Sequence, residues 1–387
     1  MNSDLLWAEV DLRAIAHNTR QLRRIVSPKT RLMVAVKANG YGHGAVAVAK
    51  TALAHGADAL GVARLEEGVE LRNEGIDAPI LIFGYTLPAL ARRLIQYDLT
   101  QTVYDIETAK QLSEAIGIQN KPLKIHIKVD TGMGRLGMLS PADSSQWPGE
   151  TYIGDPLDMV KTIAALPGLE LEGIFTHFAS SDSRDKTYAE SQFKRFSKLL
   201  DQLEAAGIMI PLKHAANSGA IIDMPHTHLD MVRAGISLYG LYPSNEVEKT
   251  RISLIPAMAL KTGIIHLKTV PSGFNVSYNS TWQTSAVTTI ATVPVGYGDG
   301  YSRAFSNKGQ MLVHGHRAPV VGRVCMDLTL LDVGHIPKVK VGDEVVVFGR
   351  QKEQCLSADE LAAWVNTINY EIVTALTSRV PMIYLSI

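Results

Sequence analysis

Lys37 closes a run of four apolar residues, 33–36, and opens the stretch K-A-N-G-Y-G-H-G, where Asn39, Gly40, Gly42 and Gly44 break the chain into a tight loop. Desolvating an ammonium at the end of a buried strand costs free energy unless something offsets it. One offset is chemical: burial that draws the pKa down leaves a free amine, able to form a Schiff base. The alternative is a lysine whose methylenes run out to put the charge in water, as most strand-end lysines do. Lys128, inside the apolar run 124–129, is harder to account for, because an unpaired buried lysine is rare. Further on, D-T-G-M-G-R ends at Arg135, T-H-F-A-S-S-D carries His177, A-N-S-G carries Asn217 and Ser218, and V-R-A-G-I-S carries Arg233, Gly235 and Ile236. Taken singly, each has an ordinary reading. His177 alone is a satisfied buried histidine, Asn217–Ser218 a helix cap, and Arg233 a surface ion-pair partner.

The elements around these residues change the balance. Strand-like runs at 32–36, 59–62, 80–83, 102–104, 124–129, 173–176, 212–215 and 231–234 alternate with stretches of helical period, at 45–54, 65–73, 87–96, 106–115, 157–165 and 188–205. Gly56, Gly75, Gly117 and Gly207 supply helix stops. Eight strand–helix repeats predict a TIM-type α/β barrel; an open doubly wound sheet shares the alternation, but no Gly-rich dinucleotide fingerprint is present. Past Gly240 the texture turns to Val-, Thr- and Ile-rich runs at 264–270, 287–295, 311–314, 318–321, 328–333 and 344–348, separated by Gly, Pro, Asn and Asp. The reading is an α/β barrel over residues 1–240 and a mainly β domain over 241–387, with one helix at 358–365 capped by Ser357. The first run, 5–10, precedes the barrel count and is expected to pair with the β domain. Residues 140–156 read as a long surface loop.

Composition narrows the classes. The chain has 387 residues, 46% of them hydrophobic and 20% charged, which is a soluble globular composition with a large core. Lysine plus arginine equals aspartate plus glutamate at 38 each, so nothing favours nucleic acid or an anionic membrane as partner. Cys325 and Cys355 form neither a disulfide framework nor a metal-site spacing. No apolar stretch suits a bilayer, and acidic residues stand where a signal peptide needs an apolar run. The expected compartment is the cytosol.

In a barrel, chemistry sits at the C-terminal strand ends, and every candidate falls there. A lysine able to form a Schiff base, beside Ser218 and the Gly235 and Ile236 N–H groups as a phosphate site, with no metal spacing, points to pyridoxal 5'-phosphate. The stretches V-K-A-N-G-Y-G-H-G, K-V-D-T-G-M-G-R-L-G, T-H-F-A-S-S-D, H-A-A-N-S-G, V-R-A-G-I-S-L-Y-G, V-S-Y-N-S-T-W, V-P-V-G-Y-G-D-G, G-R-V-C-M-D and T-I-N-Y-E, in that order, resemble the motifs of alanine racemases across nearly the whole chain.

That resemblance implies a pyridoxal-phosphate enzyme interconverting L- and D-alanine for the cell wall, with Lys37 bound to the cofactor. Tyr41, Ser218, Gly235, Ile236 and Tyr370 match phosphate-holding positions, with Asn217 beside them. Arg233 matches the arginine facing the pyridine nitrogen. Arg135 matches the one that orients the cofactor's phenolic oxygen and the substrate carboxylate. Lys128 matches a lysine carbamylated in many members, which would make it an anion paired with Arg135. Tyr278 matches the second base, supplied by the partner in a homodimer, with Met326 and Asp327 near the substrate carboxylate. His177 matches the link between Tyr278 and Arg233, and the positive charge of both Arg233 and His177 is expected to lower the Tyr278 phenol. Asn279 stands where many members have glycine and Trp282 where tyrosine is frequent, while Tyr370 keeps the bulky residue of alanine-specific members. A serine or broad-specificity racemase, a barrel-type decarboxylase and a non-catalytic cofactor carrier are the alternatives.

Overall fold

The computed structural model describes residues 5–117, 121–140 and 155–386, so most of the expected 140–156 loop lies outside the described residues. The chain divides into two compact units. One comprises residues 14–40 and 45–255; the other comprises residues 1–13, 41–44 and 256–387. The first strand, β1 (Leu6–Asp11), belongs to the second unit.

In the larger unit eight parallel strands close into a barrel. They are β2 (Arg31–Ala35), β3 (Ala59–Val62), β4 (Ile80–Ile82), β5 (Thr100–Val103), β6 (Leu123–Asp130), β8 (Leu169–Phe175), β9 (Leu212–His214) and β10 (Met231–Ala234). A short β7 (Met138–Leu139) pairs with the end of β6. Each barrel strand pairs with the next, and β10 pairs with β2 to close the ring. Covered on both faces, β2, β3 and β4 read as near-continuous apolar runs, whereas β5, β6, β8 and β9 also carry polar side chains. Met33, Ala59, Leu81 and Met231 form one buried cluster with Phe83 packed against it.

The expected helices 45–54 and 65–73 appear as Ala45–Ala54 and Leu65–Asn73. The long helix Thr187–Ala205 buries Phe196, Leu199 and Leu203. The sequence reading missed the first helix, Leu12–Ile25, because its buried face includes the polar residues Asn18 and Thr19. Asn18 bonds the carbonyls of Leu238 and Ile255, and its own carbonyl accepts from the Ile255 N–H. Those bonds, with His17 to the Ser253 carbonyl, hold residues up to 255 against this helix. The division therefore falls after Ile255, later than the texture change at Gly240.

In the smaller unit β1 pairs antiparallel with β11 (Met258–Gly263) and parallel with Met382–Leu385, which brings both ends of the chain into one sheet as expected. A hairpin of Asn275–Val276 with Trp282–Gln283 carries the Tyr278 turn between its strands. It is seated on Val270, Val276, Ile290 and Val321, with Trp282 packed against that cluster. The helix Ala358–Val365 starts as expected: the Ser357 hydroxyl accepts the Glu360 N–H at 3.1 Å. Among the described residues no helix is long and apolar enough to cross a membrane.

Candidate active site

Lys37 follows the C-terminal end of β2, and the backbone that holds it is unusual. Ala38, Asn39 and Gly40 adopt left-handed dihedrals (φ 51°, 52° and 61°), and Tyr41 continues with φ 49°. For L-residues this conformation costs roughly 1–2 kcal/mol each, so it persists only where its surroundings fix it. They do. Glu67 accepts the Ala38 N–H at 2.7 Å, Asn39 accepts the Ala45 N–H at 3.0 Å, and the Gly40 N–H reaches the Val36 carbonyl at 2.8 Å. The second oxygen of Glu67 takes the Ala63 and Arg64 N–H groups at the start of the Leu65–Asn73 helix. Burial, then the charge of Arg135, pushes the Lys37 amine below its ordinary pKa, with Glu67 opposing.

Lys128 is buried on β6, and its ammonium lies 5.7 Å from the centroid of the Phe175 ring. Burial, then Arg135 and Arg233, brings its pKa down to about 8. The same ring carries Arg233, whose guanidinium carbon sits 5.2 Å from the centroid. Arg233 donates to the carbonyls of Thr176 and Ala215, at 2.7 and 2.9 Å, and to Nδ1 of His214 at 2.7 Å. Burial and Arg135 draw its pKa down to about 9, and it stays charged at neutral pH.

His177 accepts weakly from Arg233 through Nδ1, at 3.4 Å. Burial, then the cations around it, holds its pKa well below the usual histidine value, so the ring is neutral. It therefore brings no positive charge of its own to the site, where the sequence reading expected one.

Arg135 is exposed on the loop after β6, and that loop is built by a residue the sequence reading passed over. The Asp130 carboxylate accepts the N–H groups of Gly132, Met133 and Gly134, at 2.8, 2.8 and 2.9 Å. Gly137, with φ 140°, has no room for a side chain: a Cβ would lie 2.4 Å from the Asp130 nitrogen. One face of the Thr187–Ala205 helix holds the loops after β6 and β8 together. Tyr188 bonds the Gly132 carbonyl, Arg195 the Thr131 carbonyl and Gln192 the His177 carbonyl.

Two short helical starts adjoin at the ends of β9 and β10. Asn217 caps Ser218–Asp223, its carbonyl oxygen accepting the Ala220 N–H and the Ser181 hydroxyl, so it serves the cap. The Ser218 hydroxyl oxygen accepts the Gly235 N–H at 2.9 Å and the Ser237 hydroxyl at 2.8 Å. Ile236 opens the turn Ile236–Tyr239, whose first N–H groups point away from any intrahelical acceptor.

The remaining candidates lie in the smaller unit. Tyr41 and Tyr370 stand with ring centroids 6.2 Å apart. Tyr278 is 66% exposed on a turn in which Ser277, Asn279 and Ser280 all have positive φ. Asparagine tolerates this region better than other non-glycine residues, which suits Asn279 to its φ of 60°. The Ser277 hydroxyl anchors the turn on the Arg323 carbonyl at 2.6 Å. Met326 is exposed, while the Asp327 carboxylate is paired with Arg379 at 2.7 Å.

Residues 10–243 match the family profile described as alanine racemase, N-terminal domain, and residues 257–384 match its C-terminal domain. The chain belongs to the alanine racemase family. It is 52% identical over 384 residues to the alanine racemase of Desulfosudis oleivorans, covering 99% of this chain and 97% of that one. The alanine racemase of Methanococcus maripaludis is 49% identical over the whole of both chains. Among solved structures, alanine racemase of Clostridium difficile 630 superposes with a TM-score of 0.91 at 38% identity, covering 100% of this chain and 97% of that one.

Replacing Asp130 in this alanine racemase family member leaves three loop N–H groups without their acceptor. Asp130→Ala is expected to lower stability by about 1–3 kcal/mol and to open the 132–137 loop to limited proteolysis. Asp130→Asn, which keeps one acceptor oxygen, should lose less. Thermal melts and a protease time course check this; equal behaviour of the two variants would contradict it.

Proposed function

We propose that the chain interconverts L- and D-alanine by a two-base reaction that uses pyridoxal 5'-phosphate. The observation that carries this is a depressed lysine amine, Lys37, held at a strained turn at the same barrel end as a buried guanidinium. The residues fit the cofactor. Lys37 has the free-amine character needed to hold an aldehyde carbon, and the Ser218 hydroxyl, whose oxygen accepts the Gly235 N–H and whose proton is left to donate, would join the Ile236 N–H in holding phosphate oxygens. Tyr41 and Tyr370 add phenolic hydroxyls to the holding set. When bound, the cofactor draws electrons from the substrate Cα and so acidifies its C–H bond.

The protein's own groups then have distinct work. Lys37 removes or returns the Cα proton on one side, and Tyr278 of the partner subunit does so on the other. Inversion follows because the proton is lost to one base and regained from the other. Arg135 holds the substrate carboxylate, and Met326 of the partner subunit flanks it. Arg233 would face the pyridine nitrogen of the bound cofactor with a group that cannot give a proton up to it. That limits electron withdrawal into the ring, which suits racemisation and disfavours decarboxylation, where a carboxylate at this position gives a stronger sink. A non-catalytic carrier would have no use for Tyr278 on its strained, exposed turn. Tyr370 favours alanine over serine, and the two free cysteines agree with the cytosol.

The direct test is incubation of pure holoenzyme with L-alanine and, in parallel, L-serine. D-Alanine should accumulate to an equal mixture, with serine much slower. Borohydride treatment should fix the cofactor on Lys37. A label on another lysine, or no D-alanine, would overturn the reading.

Lys128 is read as a carbamate: its neutral amine adds to carbon dioxide, forming an N–C bond and releasing one proton. The amine's pKa of about 8 leaves a reactive fraction near neutrality, and Arg135 can pair with the product anion. Enzyme equilibrated with ¹³C-bicarbonate should show a carbamate carbon resonance that Lys128→Ala lacks. The variant should lose at least tenfold in turnover and regain part of it with chloride or acetate. Full activity without added anion would sink this role.

The shared site has its own test. Lys37→Ala and Tyr278→Phe proteins should each be nearly inactive. Refolded together at equal amounts, about half the dimers are mixed and each mixed dimer has one intact site, so about a quarter of all sites should work. A mixture as inactive as its components, with subunit exchange confirmed, would exclude a site shared between subunits.

A further inference from the structure

Arg233 is a buried cation whose hydrogen-bond acceptors are all neutral: two carbonyls and the rings of His214 and His177. A buried charge without a partner of opposite sign is costly. Following the bonds outward from Arg233 leads to one. Nδ1 of His214 accepts from the guanidinium at 2.7 Å, so its ring, if neutral, carries its proton on Nε2. That nitrogen lies 2.9 Å from Nδ1 of His126, which must then accept, leaving the His126 proton on Nε2. Nε2 of His126 is 3.2 Å from the Glu172 carboxylate. Both rings are buried, and burial keeps both below the usual histidine pKa, so neither is a cation at pH 7. The direction of each bond is therefore fixed from end to end, from donor at Arg233 to acceptor at Glu172.

The fold is shaped to make this chain. β6 and β8 pair in parallel, and their register slips where Ile125 faces Leu171 but His126 faces Gly173, leaving Glu172 as the extra residue of a bulge. Such bulges re-aim a side chain and are rare between parallel strands. At Gly173 a Cβ would lie 2.6 Å from the His126 ring, so a side chain there would evict the imidazole. The His214 ring is stacked on Phe175 with centroids 4.7 Å apart and planes 7° from parallel. Glu172 is fixed in turn by Lys124 at 2.7 Å, and the bonds from His126 and Lys124 hold its carboxyl pKa down to about 2.

We propose that Glu172 is the remote counter-ion of Arg233, coupled to it through His126 and His214, and that this chain sets the direction in which the guanidinium points. Glu172, His126 and His214 are positioning residues. The carboxylate polarises the His126 N–H, which makes its Nδ1 a better acceptor, and the same step repeats at His214. The effect on turnover rests on the proposed role of Arg233; the proton positions do not.

The test uses holoenzyme labelled with ¹⁵N-histidine, with His126 and His214 assigned by single replacements. Both rings are expected to be neutral and protonated on Nε2 at pH 7. Glu172→Leu, which leaves the His126 Nε2–H without its acceptor, should move both rings away from that form. It should also lower kcat about tenfold, with KM for alanine within twofold. Glu172→Gln, whose amide oxygen still accepts, should restore the tautomers and most of kcat. Either wild-type ring protonated on Nδ1 would overturn the proposal, and this reading stands even if Glu172→Leu fails to fold. So would a loss of kcat in Glu172→Leu with the His214 proton unmoved, since that is the mark of a purely structural lesion. Unmoved tautomers with unchanged kcat would overturn it too. If the tautomers shift and kcat does not, the coupling to turnover is wrong.

Discussion

Four cations, Lys37, Lys128, Arg135 and Arg233, share one end of the barrel, and the burial of Lys37, Lys128 and Arg233, compounded by the repulsion among the four, is the constraint the rest of the structure answers. For Lys128, a pKa drawn from 10.5 to about 8 corresponds to a penalty on the charged form of order 3 kcal/mol. The burial and crowding that destabilise the ammonium also free the amine. Lys37 and Lys128 both gain free-amine character from them. Arg233 cannot respond in this way, because guanidinium keeps its proton. Its charge has to be met by the protein instead.

Backbone geometry does the other half of the positioning. The left-handed turn at Ala38–Tyr41 is unfavourable in isolation and is held by Glu67, which caps the following helix with its other oxygen. The Lys37 amine is thus tied to the start of the Leu65–Asn73 helix as well as to the end of β2. Asp130 has the same function after β6, gathering three N–H groups so that the chain turns back toward Arg135. In both cases one carboxylate organises the loop rather than pairing directly with the cation beside it. A carboxylate set against Lys37 would raise its pKa and undo the effect that burial produces.

Much of the barrel was legible because its first strands, such as β3 and β4, are apolar on both faces and its helices keep a clear period. Ala59–Val62, Met231–Ala234, Ala45–Ala54 and Leu65–Asn73 have the bounds expected from sequence. Leu12–Ile25 was not legible, since Asn18 and Thr19 put polar atoms on the buried face, where Asn18 bonds other segments and Thr19 the Ile15 carbonyl of its own helix. The candidate site divides in a similar way. Residues in compact motifs, such as Lys37, Ser218 and Arg233, stand out locally. Asp130 lies within a quoted motif, yet its role depends on a loop conformation that spacing alone does not reveal. His126 did leave a signal: in K-I-H-I-K it falls between Lys124 and Lys128 at alternate positions, so all three share one strand face. His214 and Glu172 come from other strands, and only the closed ring and the bulge bring them to it.

The location of Glu172 follows from what Arg233 is proposed to do. A carboxylate bonded directly to the guanidinium would satisfy the charge most simply. It would also bring an anionic oxygen close to the pyridine nitrogen and favour a proton there, which strengthens the electron sink and its side reactions. Two neutral imidazoles solve the conflict, because each can accept on one nitrogen and donate on the other. They carry the polarisation of the carboxylate inward without carrying its charge or a mobile proton. The β6–β8 bulge and Gly173 lie where this relay passes between strands. The Arg233 end thus keeps a donor-only surface toward the site, and the negative charge that stabilises it stays beside Lys124, where partial exposure to water makes a carboxylate inexpensive to keep ionised.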